Sequence, residues 1–301
     1  MPSALSFAVL QSESAWGTVG SDPDRYIPLA SFGLKAEVET RNAKTHCGVL
    51  QPRHAEKVRR AIKGPIACPL YGYHAPTAAQ SFAQYLIEWA FSSPEAAQRT
   101  SKSLHWVDDV SASRFTGLRV DEATLTGDAN GITVSLGLVG KTELASALST
   151  TLPNARGKLL EFLFPDVALV FDGSPLPIES FAWSIRHGLS LKHNGYTPSS
   201  LRATGGSQTL TIKPLKVGSM FVVLQRLQAM SIKTATLTMT GNHGGTASNT
   251  SARCVLAFNR LALVTNEDSP AIDSYNWEPL TFACLKPNSA TVSVGQTWDT
   301  V

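Results

Sequence analysis

From Asp166 to Val264 apolar residues keep returning two positions apart: Leu189 and Leu191, then Leu210 and Ile212, with polar residues between them. That period belongs to a strand with one buried face. The stretch reads as a strand at Val167–Phe171, a turn at Asp172-Gly173-Ser174-Pro175, and a strand pair across Phe181–Lys192 and Ser207–Lys213. A short helix at Ser219–Met230 and strands at Lys233–Met239 and Arg253–Val264 complete it. Two sheets and a helix are expected.

The preceding chain repeats the pattern. Phe32, Leu34, Ala36 and Val38 alternate with Lys35, Glu37 and Glu39, an amphipathic strand over Phe32–Thr40. A polar loop from Arg41 to His54 follows, and Lys57–Pro69 resumes extended structure. Loops longer than about 12 residues are usually functional or disordered. Thr77 and Gln80 are spaced as a capping box for a helix that stops before Pro94. Its stripe of Ala78, Phe82, Tyr85, Leu86, Trp89 and Ala90 is core packing. Strands are expected at Leu104–Val107, Leu118–Leu125 and Ile132–Leu138, the last two joined through Asn130-Gly131, where glycine supplies a positive φ.

Thr142 to Pro165 breaks the pattern, so a boundary between modules 1–150 and 151–301 is placed there. Ile66-Ala67-Cys68-Pro69-Leu70 before the first helix has a counterpart in Thr211-Ile212-Lys213-Pro214-Leu215 before the second, and Phe32 and Phe181 open the preceding strands. In both halves a strand ends at a proline that cannot donate to the ladder. The expected fold is mainly β (α+β): two similar modules, each a β-sandwich or partial barrel of antiparallel strands with a flanking helix.

Chemistry is sparse. His46-Cys47 are adjacent and point apart in a strand; His187 and His193 have no third ligand nearby. Asp108-Asp109 and Asp121-Glu122 are carboxylate pairs without a partner cluster, and Gly205-Gly206 lacks the helix and lysine of a phosphate loop. Asn249-Thr250-Ser251 matches a glycosylation sequon but means nothing without secretion. Cys47, Cys68, Cys254 and Cys284 have no CxxC spacing and read as isolated thiols in a reducing cytoplasm. No apolar run approaches the ~20 residues of a membrane span, and Met1-Pro2-Ser3-Ala4-Leu5 does not open a signal peptide. No active site, cofactor or metal is expected.

Composition points to assembly instead. Only 16% of the 301 residues are charged, against about 25% in ordinary soluble domains, so much of the surface is suited to contact with protein.

The order of these elements resembles the tail tube protein of long-tailed bacteriophages. A small β-element, the polar excursion His193-Asn194-Gly195-Tyr196-Thr197-Pro198, a Gly-Gly entry to the next strand, a helix and two closing strands carry the resemblance. The opening Glu13-Ser14-Ala15-Trp16-Gly17-Thr18, with Ile27-Pro28-Leu29 after a loop, is similar to the start of many such proteins. The resemblance implies a structural virion protein of a siphophage-like tail, built in the bacterial host cytoplasm, whose stacked rings form a continuous inner β-barrel with helices outside. A contractile-tail or gene-transfer-particle tube shares the fold. Single-module members form hexamers, so two modules per chain imply a trimer with pseudo-sixfold symmetry. Its partners would be itself, other tail proteins at the tube ends, and phage DNA that passes through without specific binding.

The excursions Arg41–His54 and His193–Leu201 are then where contacts to the next ring are expected, carried by Arg41, Lys44, His46, Arg53, His193, Asn194 and Tyr196. Trp16 is either another contact or a buried indole in a turn. Between Ser180 and Asn266 there is no Asp or Glu, while Arg186, Lys192, Arg202, Lys213, Lys216, Arg226, Lys233, Arg253 and Arg260 are basic. Cations lining a DNA conduit would hold phosphate and stall transit, so they are expected to face acids of neighbouring modules such as Glu37, Glu39, Asp108, Asp109, Asp121 and Glu122. The competing function, a soluble β-sandwich module binding carbohydrate, needs clustered exposed aromatics, whereas Trp16, Trp89, Trp106, Trp183, Trp277 and Trp298 are scattered.

Overall fold

The computed structural model describes residues 7–19, 25–42, 55–73, 82–91, 100–107, 112–145, 159–215, 232–241, 252–264, 279–285 and 291–293. Within the first half these form β1 (Phe7–Ala15), β2 (Thr18–Val19), β3 (Arg25–Ile27), β4 (Ser31–Phe32), β5 (Lys35–Asn42), β6 (Ala55–Pro69), β7 (Tyr71–Tyr73), α1 (Phe82–Ala90), β8 (Lys102–Val107), β9 (Ala112–Asp128), β10 (Gly131–Gly140) and β11 (Thr142–Ala145). The second half holds β12 (Leu159–Glu161), a single 3₁₀ turn (Phe164–Asp166), β13 (Val167–Phe171), β14 (Ser174–Pro175), β15 (Ile178–Arg186), β16 (Leu189–His193) and β17 (Pro198–Ala203). It closes with β18 (Ser207–Pro214), β19 (Lys233–Gly241), β20 (Ala252–Leu263), β21 (Leu280–Cys284) and β22 (Thr291–Ser293). The chain is mainly β, a large antiparallel sheet with one short helix among the described residues.

The two halves trace the same pairing path. In the first, β1 pairs β8, β8 pairs β9, β9 pairs β10, β10 pairs β6 and β6 pairs β5. In the second, β13 pairs β19, β19 pairs β20, β20 pairs β21, β21 pairs β18 and β18 pairs β15. The small strands correspond as well: β2 returns on β1 as β14 does on β13, and β11 lies on β9 as β22 does on β20. Even the hairpin ends match, since Lys102 sits opposite Leu118 and Lys233 opposite Leu261, all four buried.

The path phases the prolines differently from the expectation. Ile66 lies opposite Leu136 and Ile212 opposite Leu280, so Ile66 corresponds to Ile212, and Cys68 rather than Pro69 corresponds to Pro214. Pro214 is buried with Leu210 and Ile212, while Pro69 lies on the other face from buried Cys68. Phe32 and Phe181 do correspond, because Phe32 pairs Ile66 and Phe181 pairs Ile212, but neither opens its strand: β4 ends at Phe32 and β15 begins at Ile178.

Other expectations are corrected locally. The run Phe181–Lys192 is not one strand: it breaks at His187-Gly188, where Gly188 has φ +62°, and Leu189 and Leu191 pair with β17 rather than β18. The excursion His193–Leu201 is thereby the end of a hairpin. Phe32–Thr40 breaks after Phe32, because Gly64, at φ +150°, brings its backbone against Gly33 and Leu34 too closely for any side chain. The break expected over Thr142–Pro165 holds β11, β12 and the 3₁₀ turn. The Leu118–Leu125 strand extends to all of β9, bent at Gly117 (φ +68°) so that it serves two stretches of sheet. The first helix is described only from Phe82; the second, at Ser219–Met230, lies outside the described residues.

One apolar layer joins the halves. Cys68, Val134, Leu125, Trp183, Leu210 and Phe282 lie side by side across six strands, and all are buried. Tyr85, Leu86, Trp89 and Ala90 of α1 belong to the same core, and Phe91, just past the helix, stacks on Trp183 with centroids 3.9 Å apart. A wide sheet with one such face must cover it; the helix covers part of it, and Phe258 of β20 and Phe171 of β13 lie against Trp183 and Phe282.

Candidate assembly edge and sheet face

The halves meet through strands. β15 pairs antiparallel with the C-terminal part of β9, Phe181 opposite Gly127 through Arg186 opposite Glu122. Gly127 is required there, because a Cβ would overlap the Phe181 ring. On the outer face Thr124 and Ser184 share a hydroxyl hydrogen bond of 3.1 Å, and Arg186 Nε lies 3.0 Å from Glu122 Oε1. The strand continues past Arg186, where His187 N donates to Asp121 O at 2.7 Å and Leu189 N donates to the Asp121 carboxylate. Asp121 thus holds the β15–β16 corner by its backbone and its side chain together.

The counterpart of β15 in the first half has no such neighbour. β5 pairs with β6 alone among the described strands. Val38 lies opposite Arg60, whose N–H donates in the other direction, to Tyr196 O at 2.7 Å. Val38–Arg60 is therefore a non-hydrogen-bonded pair, and the N–H and C=O of Val38 point off the sheet edge. Its side chain is 40% exposed. An open strand edge is a template for another chain.

The outer face of the shared sheet is lined by small groups. One row runs Ala67, Ser135, Thr124, Ser184, Thr209, Ala283, and the next Pro69, Thr133, Thr126, Ala182, Thr211, Thr281, each crossing six strands. The Thr211 and Thr281 hydroxyls lie 3.2 Å apart, and Thr126 Oγ1 donates to Thr133 O at 3.4 Å. Charges appear beside these rows as pairs: Arg186 with Glu122, Lys213 with Glu179 at 2.7 Å, and Lys63 with Glu37 at 3.5 Å.

A third cluster locks the bend of β9. Glu13 accepts the N–H of Gly17 at 2.8 Å and of Gly117 at 2.7 Å, while Trp16 Nε1 donates to Gly117 O at 2.9 Å. The indole lies between Arg119, 5.3 Å away, and Lys141, 5.2 Å away. Burial pushes the Arg119 guanidinium below its usual pKa, and the Glu13 carboxylate pulls it partly back. Trp16 is half-buried in a turn.

The remaining predicted residues divide. Glu37, Glu39 and His193 line one hollow with Arg59 and Lys63, between β5–β6 and the β16–β17 hairpin, and Glu39 pairs with Arg59 at 3.7 Å. Asn194 and Tyr196 are exposed in the hairpin turn. Arg260 is half-buried on β20 and engaged in a contact. Arg41 and Arg253 lie on β5 and β20 with side chains outside the described set, as are Lys44, His46, Arg53, Asp108, Asp109 and Lys216 altogether. Sequence reasoning missed Glu13, Gly117 and Arg119, whose partners lie about a hundred positions apart, and Val38, which read as an ordinary inward residue. Cys68 and Cys254 are free and buried, their thiols pushed up to about 12 by burial, and half-buried Cys284 to about 11.

Among the described residues no group of His, Cys, Asp and Glu could hold a metal ion, and no helix is long and apolar enough to cross a membrane. A search of curated proteins finds no match. The family model described as phage tail tube protein matches residues 3–282, nearly the whole chain. Members of that family are structural, non-enzymatic components of the virion tail that polymerise, and this chain belongs to it: it is a phage tail tube protein.

Proposed function

We propose that three copies of this chain, each carrying two equivalent modules, close into a ring with pseudo-sixfold symmetry, and that stacked rings form the channel through which a siphophage-like tail ejects its DNA. The observation that carries this reading is the β15–β9 joint: one half completes its sheet with a strand of the other, while the equivalent strand β5 has β6 as its one partner among the described strands. Repeating that joint between copies removes every such edge. The modules divide at 1–150 and 151–301. The matching pairing paths of the halves favour duplication.

The hydroxyl rows would form the channel wall. Small hydroxyls, with Arg186, Lys213 and Lys63 beside them held by carboxylates, give phosphate little to grip, so DNA slides past without a strong, salt-dependent hold. The β16–β17 hairpin and residues 41–54 would meet the next ring, and other tail proteins would cap the tube, all assembled in the host cytoplasm. Negative-stain electron microscopy of the purified protein tests this: annular particles or tubes with a central hole are expected, and featureless monomers at every concentration would refute it.

A further inference from the structure

Resting on the ring reading above, we infer that the joint between copies is a head-to-tail strand pairing in which Val38 of β5 docks beside Leu263 and Val264 at the end of the next copy's β20. The correspondence of the halves dictates it. Phe32 corresponds to Phe181 through their partners Ile66 and Ile212, so Glu37 corresponds to Arg186 and Val38 to His187. Leu118 corresponds to Leu261 through the buried lysines opposite them, which makes Val120 the counterpart of Leu263 and Asp121 that of Val264. Within the chain, His187 N bonds the carbonyl of Asp121, which lies in a bulge of β9; at the corresponding place Val38 meets the end of β20, where Val264 N donates to Thr281 O and Leu263 turns its backbone groups away from β21.

Independent features of both surfaces fit. Val38 directs its backbone groups off the sheet, as shown above. On the other side, β19 stops at Lys233 opposite Leu261, and beyond that point the described part of β20 has a neighbour only on its β21 side. Val120 is buried at 1% exposure, whereas its counterpart Leu263 is 37% exposed and Val264 is 44% exposed. A half-exposed apolar pair on one surface and an exposed valine on the other are what a joint between copies would cover. Because the two surfaces differ, the contact is heterologous, and a fixed rotation per copy closes it into a ring.

Two variants separate the partners. Val38→Pro removes an N–H that no described strand of the same chain uses, a change edge strands tolerate, and Leu263→Glu places a carboxylate in the acceptor surface near the next copy's Glu37 and Glu39. Native mass spectrometry should find each variant monomeric with a wild-type-like circular dichroism spectrum. Mixed, they should form one-to-one dimers that grow no further, since each keeps one intact surface. Hydrogen exchange in the wild type should slow at the Val38 amide on assembly. Rings of wild type together with rings of either folded variant, or an unprotected Val38 amide in assembled wild type, would overturn this joint and leave the ring reading standing. A wild type that forms no rings would overturn both.

Discussion

Arg186, the last residue of β15, places its Nε 3.0 Å from Glu122 Oε1 on β9, bridging a joint between the two halves that the backbone ladder already holds. Both side chains are more than half exposed, so the pair itself adds little stability; exposed ion pairs contribute about 0–1 kcal/mol. Its consequence is neutrality beside the hydroxyl rows.

That neutrality predicts the effect of adding charge. Thr124→Lys, in the middle of the outer face, should leave assembly intact but make the assembled protein retain short duplex DNA at low salt. The retention should weaken steeply as salt rises, following counterion release. Filter binding over a salt series checks this, with wild type expected to retain none at any salt.

The core predicts a joint failure of both halves. Trp183 is fully buried, stacked on Phe91 and edge-on to Phe258 at 5.3 Å, in the apolar row that crosses the joint. Trp183→Ala should cost about 3–5 kcal/mol. In urea the midpoint should fall while a single cooperative transition remains.

The Glu13 cluster predicts a large effect from a half-buried acid. Glu13→Ala leaves the nearly buried Arg119 without its carboxylate and frees the N–H groups of Gly17 and Gly117. A loss of about 1–3 kcal/mol is expected, chiefly from the two N–H groups left unpaired. Arg119→Met should be milder, since it removes the buried charge itself and leaves Glu13 bonded to the N–H groups of Gly17 and Gly117. Thermal or urea melts of both variants decide the order.

The buried thiols set an alkaline limit. Cys68 and Cys254 have folded-state pKa values of about 12 against 9 for a free thiol, so the folded state holds protons that the unfolded chain gives up. Stability from this source is complete below about pH 9 and falls as pH rises toward 12. Urea midpoints measured from pH 8 to 10.5 should decline, and the double variant Cys68→Ala, Cys254→Ala should show a shallower decline.

How far the sequence could be read depended on the range of each interaction. β13 was legible to the residue, and β19 and β20 to within one or two, because two-residue alternation is a local signal. The break at His187-Gly188 was not, since it is held by Asp121, which lies 68 positions from Leu189. The phase of Pro69 against Pro214 was misjudged for a similar reason: a Pro-Leu match fixes neither face, whereas the cross-strand partners Leu136 and Leu280 do. The hydroxyl rows were invisible because Ser135, Thr124, Ser184 and Thr209 come from four separate strands, each an unremarkable polar position until the sheet aligns them.

The number of chains in one ring tests the central claim most directly. Mass measurement of a single isolated ring, by native mass spectrometry, should give three times the 32.2 kDa chain mass, with six similar lobes in averaged top views. Six chains per ring, or a chain that stays monomeric with the β5 edge open at all concentrations, would contradict it.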